Sequence, residues 1–448
     1  MDILTPYHRS GTAMTRKLRR ALTFSLTLLP LLALSCSTSV PGPSVVLIII
    51  DTLRADHLSC YGYHRETSPV IDSLAASGVM MEHPVAQSSW TLPSTATIMS
   101  GLSPVSHGAG MHVPTGEVYG MDPEMPLLAM EMNRNGYETA GFFNTYLLSE
   151  DFGFHRGFDV FMCRENGDGK ADSTVMSASE WLRQLSGDRP FFLALHFFDV
   201  HDPYDPPAPF DTLFAEGGAG GEVFWEFTPE GAVARPEQLE HLVDLYDGEI
   251  AYVDSQLGIL FSVLRELDRR EDILVVLTAD HGEEFLEHGY VGHGRTFYPE
   301  ITEVPVILSG LPGLDSISSG ALCGLVDLMP TILHCCSIEP AWTVHGRSLF
   351  QLQATGTRIL PSSGINTGDE FRSVSVRTAE SQLIWDPDDD RVETYDLSED
   401  PMAQNVVEVD SLLLDSALYY RSTPVEYEPV LLEEWKVAPV LRDLGYIR

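Results

Sequence analysis

Short apolar runs alternate with longer amphipathic segments through most of the chain. The run Ser44–Ile50 (SVVLIII) is almost wholly apolar and rich in β-branched residues, which is typical of a strand buried on both faces of a parallel sheet. Similar runs follow at Ala140–Phe143, Phe191–His196, Ile273–Thr278 and Val304–Leu308. Segments with helical periodicity lie between them, at Met125–Asn133, Ser173–Leu185, Gln238–Leu267 and Val326–Cys335. The alternation predicts an α/β fold with a mainly parallel central sheet flanked by helices.

The two ends of the chain differ from this middle part. Residues 1–36 contain a basic stretch, the apolar run Ala21–Leu34 and small residues before Cys36, which is the pattern of a secretory signal. We expect an exported protein that Cys36 attaches to the membrane through an N-terminal lipid anchor; cleavage without lipidation and an uncleaved anchor are the alternatives. We expect residues 37–43 to form a linker, 44–365 the main α/β domain and 366–448 a small C-terminal antiparallel α+β subdomain. The last prediction rests on the alternating segments Ser373–Arg377 and Gln382–Trp385.

Composition and charge exclude several classes of protein. Hydrophobic residues make up 44% of the chain, as in globular proteins with a sizeable core, which excludes a disordered or fibrous chain. The chain has 27 basic and 65 acidic residues, a net charge of −38 that would repel a phosphate backbone, so we predict no nucleic-acid partner. Five cysteines follow Cys36 without a CxxC pair, which argues against a zinc ribbon and favours free, buried thiols.

Acidic residues directly follow two of the predicted strands. Asp51 comes after Ile50, and Asp280-His281 comes after the run that begins at Ile273. Ligands of α/β folds bind at the carboxyl ends of parallel strands, and a carboxylate at such a position is costly unless it meets a cation. Aspartate next to histidine also offers suitable donors for a divalent metal. We therefore expect these side chains to share one metal site.

Further candidate residues lie on loops and at a helix start. Pro93 suits the first turn of a helix, which places Thr91 near an N-terminus where free backbone N–H groups bind anions. A lone threonine at that position is more commonly a helix cap. His201, His288 and His293 are scattered over two loops, and each histidine taken alone is more often structural than catalytic.

The motifs together resemble the sulfatase-like hydrolases of the alkaline phosphatase superfamily, from about Val45 to Asn405. VVLIIIDTLRADHLSCYGY resembles the opening strand and metal aspartate of that family, and WTLPSTATIMSGLSPVSHG resembles its nucleophile helix. FFLALHFFDVHDPYDPP is similar to the histidine loop, and LTADHGEEFLEHGYVGHGRTFYPEITEVPVIL to the second metal segment. LVDLMPTIL, HGRSLF and YDLSEDPMAQN match later landmarks. Each piece is weak alone, but their order and spacing are specific.

The resemblance implies a role for each matching position. Asp51, Asp280 and His281 match ligands of one divalent metal ion (Ca, Mg, Mn or Zn), and Thr91 matches the nucleophile, which also touches the metal. His201 matches a histidine that contacts the transferred group, and His293 stands where a lysine or histidine lies near the leaving group. Asn144 and Tyr146 match two substrate-pocket positions, and His107 matches a structural landmark. A second metal could use Asp199, His201 and His293, but we favour a single ion.

Several residues differ from the family pattern, and these differences change the reaction that we expect. Family sulfatases carry Cys or Ser at the nucleophile, which is oxidised to formylglycine; threonine cannot form that aldehyde because its Cβ already carries a methyl group. Thr95 and Thr52 replace a family arginine and a second aspartate. We therefore predict a hydrolase or transferase of phosphate or phosphonate esters that acts on a small-molecule, glycan or lipid ester. The alternatives are a sulfuric ester hydrolase without formylglycine and a non-catalytic surface lipoprotein.

Overall fold

The computed structural model describes residues 42–112, 117–164, 170–187, 189–215, 226–228, 231–233, 236–267, 272–355, 358–364, 373–386, 391–433 and 437. The predicted signal and lipidation site in residues 1–36 lies outside these residues, as does most of the predicted linker. Within the described ranges, no helix combines the length and the apolar character needed to cross a bilayer.

The elements alternate along the chain as the hydrophobic pattern predicts. The described strands are β1 (Ser44–Ile50), β2 (Gly78–Met80), β3 (His83–Val85), β4 (Gly110–His112), β5 (Glu117–Gly120), β6 (Glu138–Phe143), β7 (Val160–Cys163), β8 (Phe191–Phe197), β9 (Glu226–Thr228), β10 (Gly231–Val233), β11 (Ile273–Ala279), β12 (Glu284–Phe285), β13 (Val291–Gly292), β14 (Val306–Ser309), β15 (Leu322–Gly324), β16 (Leu360–Ser363), β17 (Val374–Arg377), β18 (Ser381–Asp386), β19 (Arg391–Asp396) and β20 (Val430–Leu431). The described α-helices are α1 (Pro69–Ala76), α2 (Thr91–Ser100), α3 (Pro104–His107), α4 (Leu128–Arg134), α5 (Ala171–Gln184), α6 (Pro236–Glu266), α7 (Pro299–Thr302), α8 (Leu328–Cys335) and α9 (Ser411–Arg421).

A seven-stranded sheet forms the centre of the molecule, in the order β2-β14-β11-β1-β8-β6-β7. Strands β11, β1, β8, β6 and β7 are parallel, whereas β14 and β2 are antiparallel to their neighbours. Helix α6 packs on α1 and α5, α2 packs on α4 and α8, and α1, α4 and α5 contact the sheet. The prediction of a mainly parallel sheet flanked by helices is therefore confirmed.

Strand β1 lies at the centre of this sheet and explains why its sequence is apolar on both faces. Every residue of β1 is at most 1% exposed. The parallel register pairs Ile50 with Ala279 on one side and with Phe197 on the other. Because the register is set by these pairs, the residues that follow β1 and β11, Asp51 and Asp280, emerge side by side.

The C-terminal part forms a separate antiparallel sheet, as its alternating pattern predicts. Strands β16, β17, β18 and β19 pair in sequence order, and α9 packs on the sheet through Leu413 and Ala417. The sheet begins at Leu360, a few residues before the boundary that the sequence pattern suggests. The five cysteines of the described part, Cys60, Cys163, Cys323, Cys335 and Cys336, form no disulfide with one another, as expected, but Cys60, Cys163 and Cys335 are partly exposed rather than buried.

This sheet is joined to the catalytic part by side chains and by backbone. Phe297 and Tyr298 share an apolar cluster with Ile384, Tyr395, Leu397 and Ala403. Ser363 N donates to the Gln87 carbonyl at 2.9 Å, and Ser88 Oγ donates back to the Ser363 carbonyl at 2.9 Å. These bonds fix the segment that leads into α2, and residues 41–448 form one compact unit.

Candidate active site

Two buried aspartates occupy the carboxyl edge of the central sheet. Asp51 and Asp280 are both fully buried. Oδ1 of Asp280 accepts hydrogen bonds from the backbone N–H groups of His281 at 2.9 Å and Thr52 at 3.3 Å. Its Oδ2 atom is buried and has no hydrogen-bond partner among the described residues. The sheet thus brings together the two carboxylates that the sequence predicts as metal ligands.

Thr91 is the first residue of α2, and its side chain faces these carboxylates. Its Oγ1 atom lies 3.3 Å from Oδ2 and 3.5 Å from Oδ1 of Asp51. The N-cap of α2 is Trp90, and no side chain caps this helix start. Thr91 is therefore not a helix cap. Its hydroxyl lies instead beside the first-turn N–H groups, which have no partner within a helix.

His281 directly follows Asp280, and its ring lies beside both aspartates and Thr91. Its Nδ1–H donates to the Gly282 carbonyl at 2.9 Å, which leaves the lone pair of Nε2 pointing away from the backbone. Nε2 lies 3.5 Å from Oδ1 of Asp51 and 3.6 Å from Oδ2 of Asp280. It is also 3.4 Å from the Thr91 hydroxyl. Such an arrangement is typical of a metal-binding histidine.

His196 is a fourth member that the sequence reasoning missed. It lies on β8 opposite Ile49, and it is fully buried. Neither ring nitrogen has a hydrogen-bond partner in the described part of the chain, although Nε2 is 3.4 Å from Oδ2 of Asp51. Donor atoms of Asp51, His196 and Asp280 lie within 4.8 Å of one another. A histidine inside the apolar run FFLALHF was the available signal, since a buried polar residue needs a partner.

The electrostatics of the site call for positive charge. Burial raises the pKa of Asp280 well above its usual range, and the neighbouring charge of Asp51 adds to this. Burial also acts to raise the pKa of Asp51, but His196, His201 and His281 outweigh it and lower that pKa. Burial lowers the pKa of His281 well below its usual value, so this ring is neutral at pH 7. Two adjacent carboxyls repel each other when both are ionised, and a bound cation would offset that repulsion.

A divalent cation therefore fits this group of residues. The unpartnered atoms Asp280 Oδ2, His196 Nδ1 and His196 Nε2 are buried polar atoms in need of a partner, and the donors combine carboxylate oxygens with imidazole nitrogens. Such mixed donors bind divalent metals. The hydroxyl of Thr52 is not among them, because it donates to the Val200 carbonyl at 2.7 Å.

Two further histidines, His201 and His293, lie next to this candidate metal site. The His201 ring lies 4.9 Å from the His293 ring, and the His293 ring lies 4.4 Å from that of His281, measured between centroids. Nδ1–H of His201 donates to the Asp202 carbonyl, and its buried Nε2 has no hydrogen-bond partner among the described residues. Burial lowers the pKa of His201, although Asp51 opposes this. The structure thus brings both predicted histidines to the site.

Glu283 holds His293 and is a second residue that the sequence reasoning missed. Nδ1 of His293 is 3.0 Å from Oε1 of Glu283, and the hydroxyl of Tyr204 donates to Oε2 of the same carboxylate at 2.9 Å. Burial raises the pKa of Glu283 to about 7, against the opposing effect of His201. Burial lowers the pKa of His293 to about 4, although Asp51 opposes this. The two side chains form a buried carboxylate–imidazole pair.

Three other residues that the sequence analysis names are Asn144, Tyr146 and Asp199. Asn144 directly follows β6, so it lies at the same edge of the sheet, and it is buried. Tyr146 is also buried, and its hydroxyl donates to Oδ2 of Asp151 at 2.8 Å. Oδ1 of Asp199 accepts from the N–H of Ala171 at 2.8 Å, at the start of α5, so this carboxylate serves a helix end.

His107 has the structural role expected of it. Its Nε2 atom lies 3.1 Å from the Thr97 hydroxyl and 3.2 Å from the Pro93 carbonyl, and its Nδ1 accepts from Ala109 N–H at 3.2 Å. Burial lowers the pKa of His107 to about 3. A neutral ring therefore ties the end of α3 to the first turn of α2.

Comparison with known proteins finds similar proteins among the sulfatases. A family model described as sulfatase matches residues 43–338. The arylsulfatase of Clostridium perfringens is 21% identical over 433 residues, which cover 80% of this chain and 89% of that protein. The solved structure of yidJ from Bacteroides fragilis has a TM-score of 0.69 at 18% identity, with 93% of this chain and 100% of that chain covered. The phosphonate monoester hydrolase of Agrobacterium radiobacter has a TM-score of 0.64 at 17% identity, with 90% and 96% covered.

The family match spans more than half of the chain, and it coincides with the strands and the helix that carry the site. The chain belongs to the sulfatase family. It is thus a sulfatase-family hydrolase of sulfuric or phosphoric esters, with a fold like that of alkaline phosphatase and a candidate divalent-cation site at the end of its central sheet.

Proposed function

We propose that the protein hydrolyses phosphate diesters or phosphonate monoesters through a covalent intermediate on Thr91. The observation that carries the proposal is the Thr91 hydroxyl, which lies at a helix start within 3.5 Å of Asp51 and His281. A threonine hydroxyl can attack phosphorus directly, whereas the formylglycine route of sulfatases is closed to it.

Asp51, Asp280, His281 and His196 would hold the divalent cation, with Thr91 at its edge. When bound, such an ion lowers the pKa of a neighbouring hydroxyl and offsets the charge of the transferred group. The protein orients the hydroxyl of Thr91 for attack. Because the Thr91 hydroxyl can donate to Oδ2 of Asp51 at 3.3 Å, its proton points away from the lone pair that attacks.

The reaction then proceeds in two displacements. A bond forms between Thr91 Oγ1 and phosphorus while the bond from phosphorus to the leaving oxygen breaks, and the proton of the Thr91 hydroxyl passes to Oδ2 of Asp51, which accepts its hydrogen bond. The pair of His293 and Glu283 supplies the proton for the leaving alkoxide, since an anionic substrate raises the proton affinity of the ring. Water, which the same pair deprotonates, then attacks phosphorus of the threonine ester; the bond from phosphorus to Thr91 Oγ1 breaks, and Asp51 returns the proton to Oγ1. The first-turn N–H groups of α2 stabilise the equatorial oxygens.

The scarcity of lysine side chains favours a substrate with one negative charge. After Cys36 the chain holds only two lysines, Lys170 and Lys436. Lys170 donates to the Asp205 carbonyl, and Arg54 is held in ion pairs with Asp56 and Glu287. A phosphate monoester brings two negative charges that need cationic partners, whereas diesters and phosphonate monoesters bring one. The likeness of the fold to a phosphonate monoester hydrolase supports the same class.

Sulfuric ester hydrolysis is the second candidate. The family match and the similarity to an arylsulfatase favour it, and a sulfate monoester also carries one negative charge. Thr91 would then attack sulfur directly. A panel of 4-nitrophenyl esters tests both candidates: the bis-phosphate diester, the phenylphosphonate, the phosphate monoester and the sulfate. Our proposal requires the diester or the phosphonate to give the largest kcat/KM. A preference for the sulfate would select the second candidate.

We also propose that the protein is exported and lipid-anchored through Cys36. The basic, apolar and small-residue order of residues 1–36 supports this. Cells fed an alkyne-labelled fatty acid should label the wild-type protein and not Cys36→Ala. Equal labelling of both proteins would show that Cys36 is not the anchor.

A further inference from the structure

A second set of metal-binding side chains lies outside the site described above. Glu284 on β12, His288 in the turn of the β12–β13 hairpin and Glu300 in α7 place one donor atom each within 4.8 Å of the others. We call these three residues the hairpin cluster. The neighbouring metal site uses none of them.

Both carboxylates of the hairpin cluster have an oxygen in need of a partner. Glu284 is fully buried and Glu300 is 3% exposed. Oε1 of Glu284 accepts from the backbone N–H groups of His288 at 3.0 Å and Tyr290 at 2.8 Å. The Oε2 atoms of Glu284 and Glu300 are buried and have no hydrogen-bond partner among the described residues. Two buried carboxylates with unpartnered oxygens are stable only if positive charge lies between them.

The His288 ring is held so that Nδ1 faces the carboxylates. Its Nε2–H donates to the Ala403 carbonyl at 3.0 Å, and the ring stacks on Tyr298 at a centroid distance of 3.5 Å and an angle of 6°. Nδ1 lies 2.6 Å from Oε1 of Glu300. A lone pair on Nδ1 would repel that oxygen, so a cation, either a proton or a metal ion, must be shared between them. The bond from the second ring nitrogen to a backbone carbonyl is the usual support of a metal-binding histidine.

We propose that the hairpin cluster binds a second divalent transition-metal ion, of the class of Zn²⁺ or Mn²⁺. One imidazole nitrogen with carboxylate oxygens suits these ions, whereas calcium prefers a full set of oxygen ligands. The ion would join the β12–β13 hairpin to α7 and, through the His288–Ala403 bond, to the C-terminal sheet. His293 directly follows β13, so this joint holds the segment that delivers His293 to the active site.

A proton is the competing occupant. The bond to Glu300 raises the pKa of His288 although burial opposes it, and burial together with Glu300 raises the pKa of Glu284 to about 7. A charged His288 ring and a protonated Glu284 would therefore also neutralise the cluster. A metal ion would bind at about one equivalent per chain, whereas a proton would leave the cluster without metal. The amount of metal bound therefore distinguishes the two.

The test first removes the active-site metal. The double variant Asp51→Asn/Asp280→Asn, treated with chelator and dialysed, is titrated with Zn²⁺ by calorimetry, and its Tm is followed at increasing Zn²⁺. Our proposal requires about one equivalent to bind and the Tm to rise with the logarithm of Zn²⁺ concentration. Adding His288→Gln or Glu300→Gln should remove both effects. Glu287→Gln is the matched control: it lies in the same hairpin, but its carboxylate pairs with Arg54.

Cobalt gives a readout that does not depend on the cluster variants folding. The double variant loaded with Co²⁺ should show visible ligand-field bands that change when Zn²⁺ displaces the ion. A folded double variant that binds neither Zn²⁺ nor Co²⁺ would overturn the proposal and assign the shared cation to a proton. This outcome is independent of the phosphoesterase proposal, which the substrate panel tests with the unmutated protein.

Discussion

Replacing Thr91 by alanine separates the catalytic from the structural role of this residue. The change removes the hydroxyl and one buried methyl group. Loss of a buried methyl group costs about 1 kcal/mol of unfolding free energy. The hydroxyl contributes little more, because its contacts with Asp51 and His281 are long, at 3.3 to 3.5 Å, and because Trp90 rather than Thr91 is the N-cap. We expect a total loss of about 1–2 kcal/mol.

The expected effect on the rate is larger than the effect on stability. Without the hydroxyl, no covalent intermediate forms and the cation has no nucleophile to activate. A fall in kcat/KM of about 10³-fold or more corresponds to about 4 kcal/mol of transition-state stabilisation, at least twice the expected loss of folding free energy. The assay is hydrolysis of the best ester of the substrate panel, with urea unfolding of the same samples.

Two companion variants make the prediction decisive. Thr91→Ser removes the methyl group but keeps the hydroxyl, so it should lose about as much stability as alanine and keep most of the rate. Thr91→Asn keeps a short polar side chain at the helix start but has no hydroxyl that could act as a nucleophile. Turnover of Thr91→Asn near that of the wild type would refute the reasoning, because the hydroxyl would then not be the attacking group. A phosphorylated Thr91 peptide, trapped with a slow substrate, would support it.

Three other changes test separate parts of the account. Asp280→Asn should lose one equivalent of divalent metal relative to wild type in elemental analysis, and unchanged metal content would contradict the ligand assignment. Glu283→Gln should slow esters with alkyl leaving groups by about tenfold more than nitrophenyl esters, because only poor leaving groups need the proton that His293 supplies; an equal loss for both would speak against that role. Burial lowers the pKa of His107 to about 3 in the folded chain from about 6.5 when unfolded, so its contribution to stability is complete above pH 6.5 and lost as pH falls towards 3. In that window the stability of His107→Gln, followed by urea midpoints, should fall less steeply than that of wild type by about 1.4 kcal/mol per pH unit, and parallel curves would contradict this.

The sequence predicts the parts of the site that lie at element ends. Asp51, Asp280 and His281 follow apolar runs directly, and parallel pairing brings such ends together whatever the rest of the fold does. Thr91 could be placed because Pro93 marks a helix start. In each case a local sequence pattern is enough to place the residue at the end of a strand or the start of a helix.

Other members of the site depend on which way a side chain points, which the sequence does not show. His196 lies inside β8, where one step of register would turn it to the other face. Glu283 and Glu284 are adjacent in the motif DHGEE, yet one binds His293 and the other belongs to the hairpin cluster. Only the fold of the following hairpin decides between them. The Thr52 hydroxyl likewise could have joined the site, but it binds the Val200 carbonyl.

The bonds between the C-terminal sheet and the catalytic part limit how far the chain can be truncated. The family match ends at residue 338, before any strand of that sheet. A chain ending there would keep every proposed catalytic side chain but would expose Phe297 and Tyr298 and leave the Gln87 carbonyl without its donor, Ser363 N–H. The region that the family model matches is therefore smaller than the compact unit of residues 41–448. Exchanges of substrate loops between relatives should keep residues 360–403 together with their own residues 86–88 and 297–298.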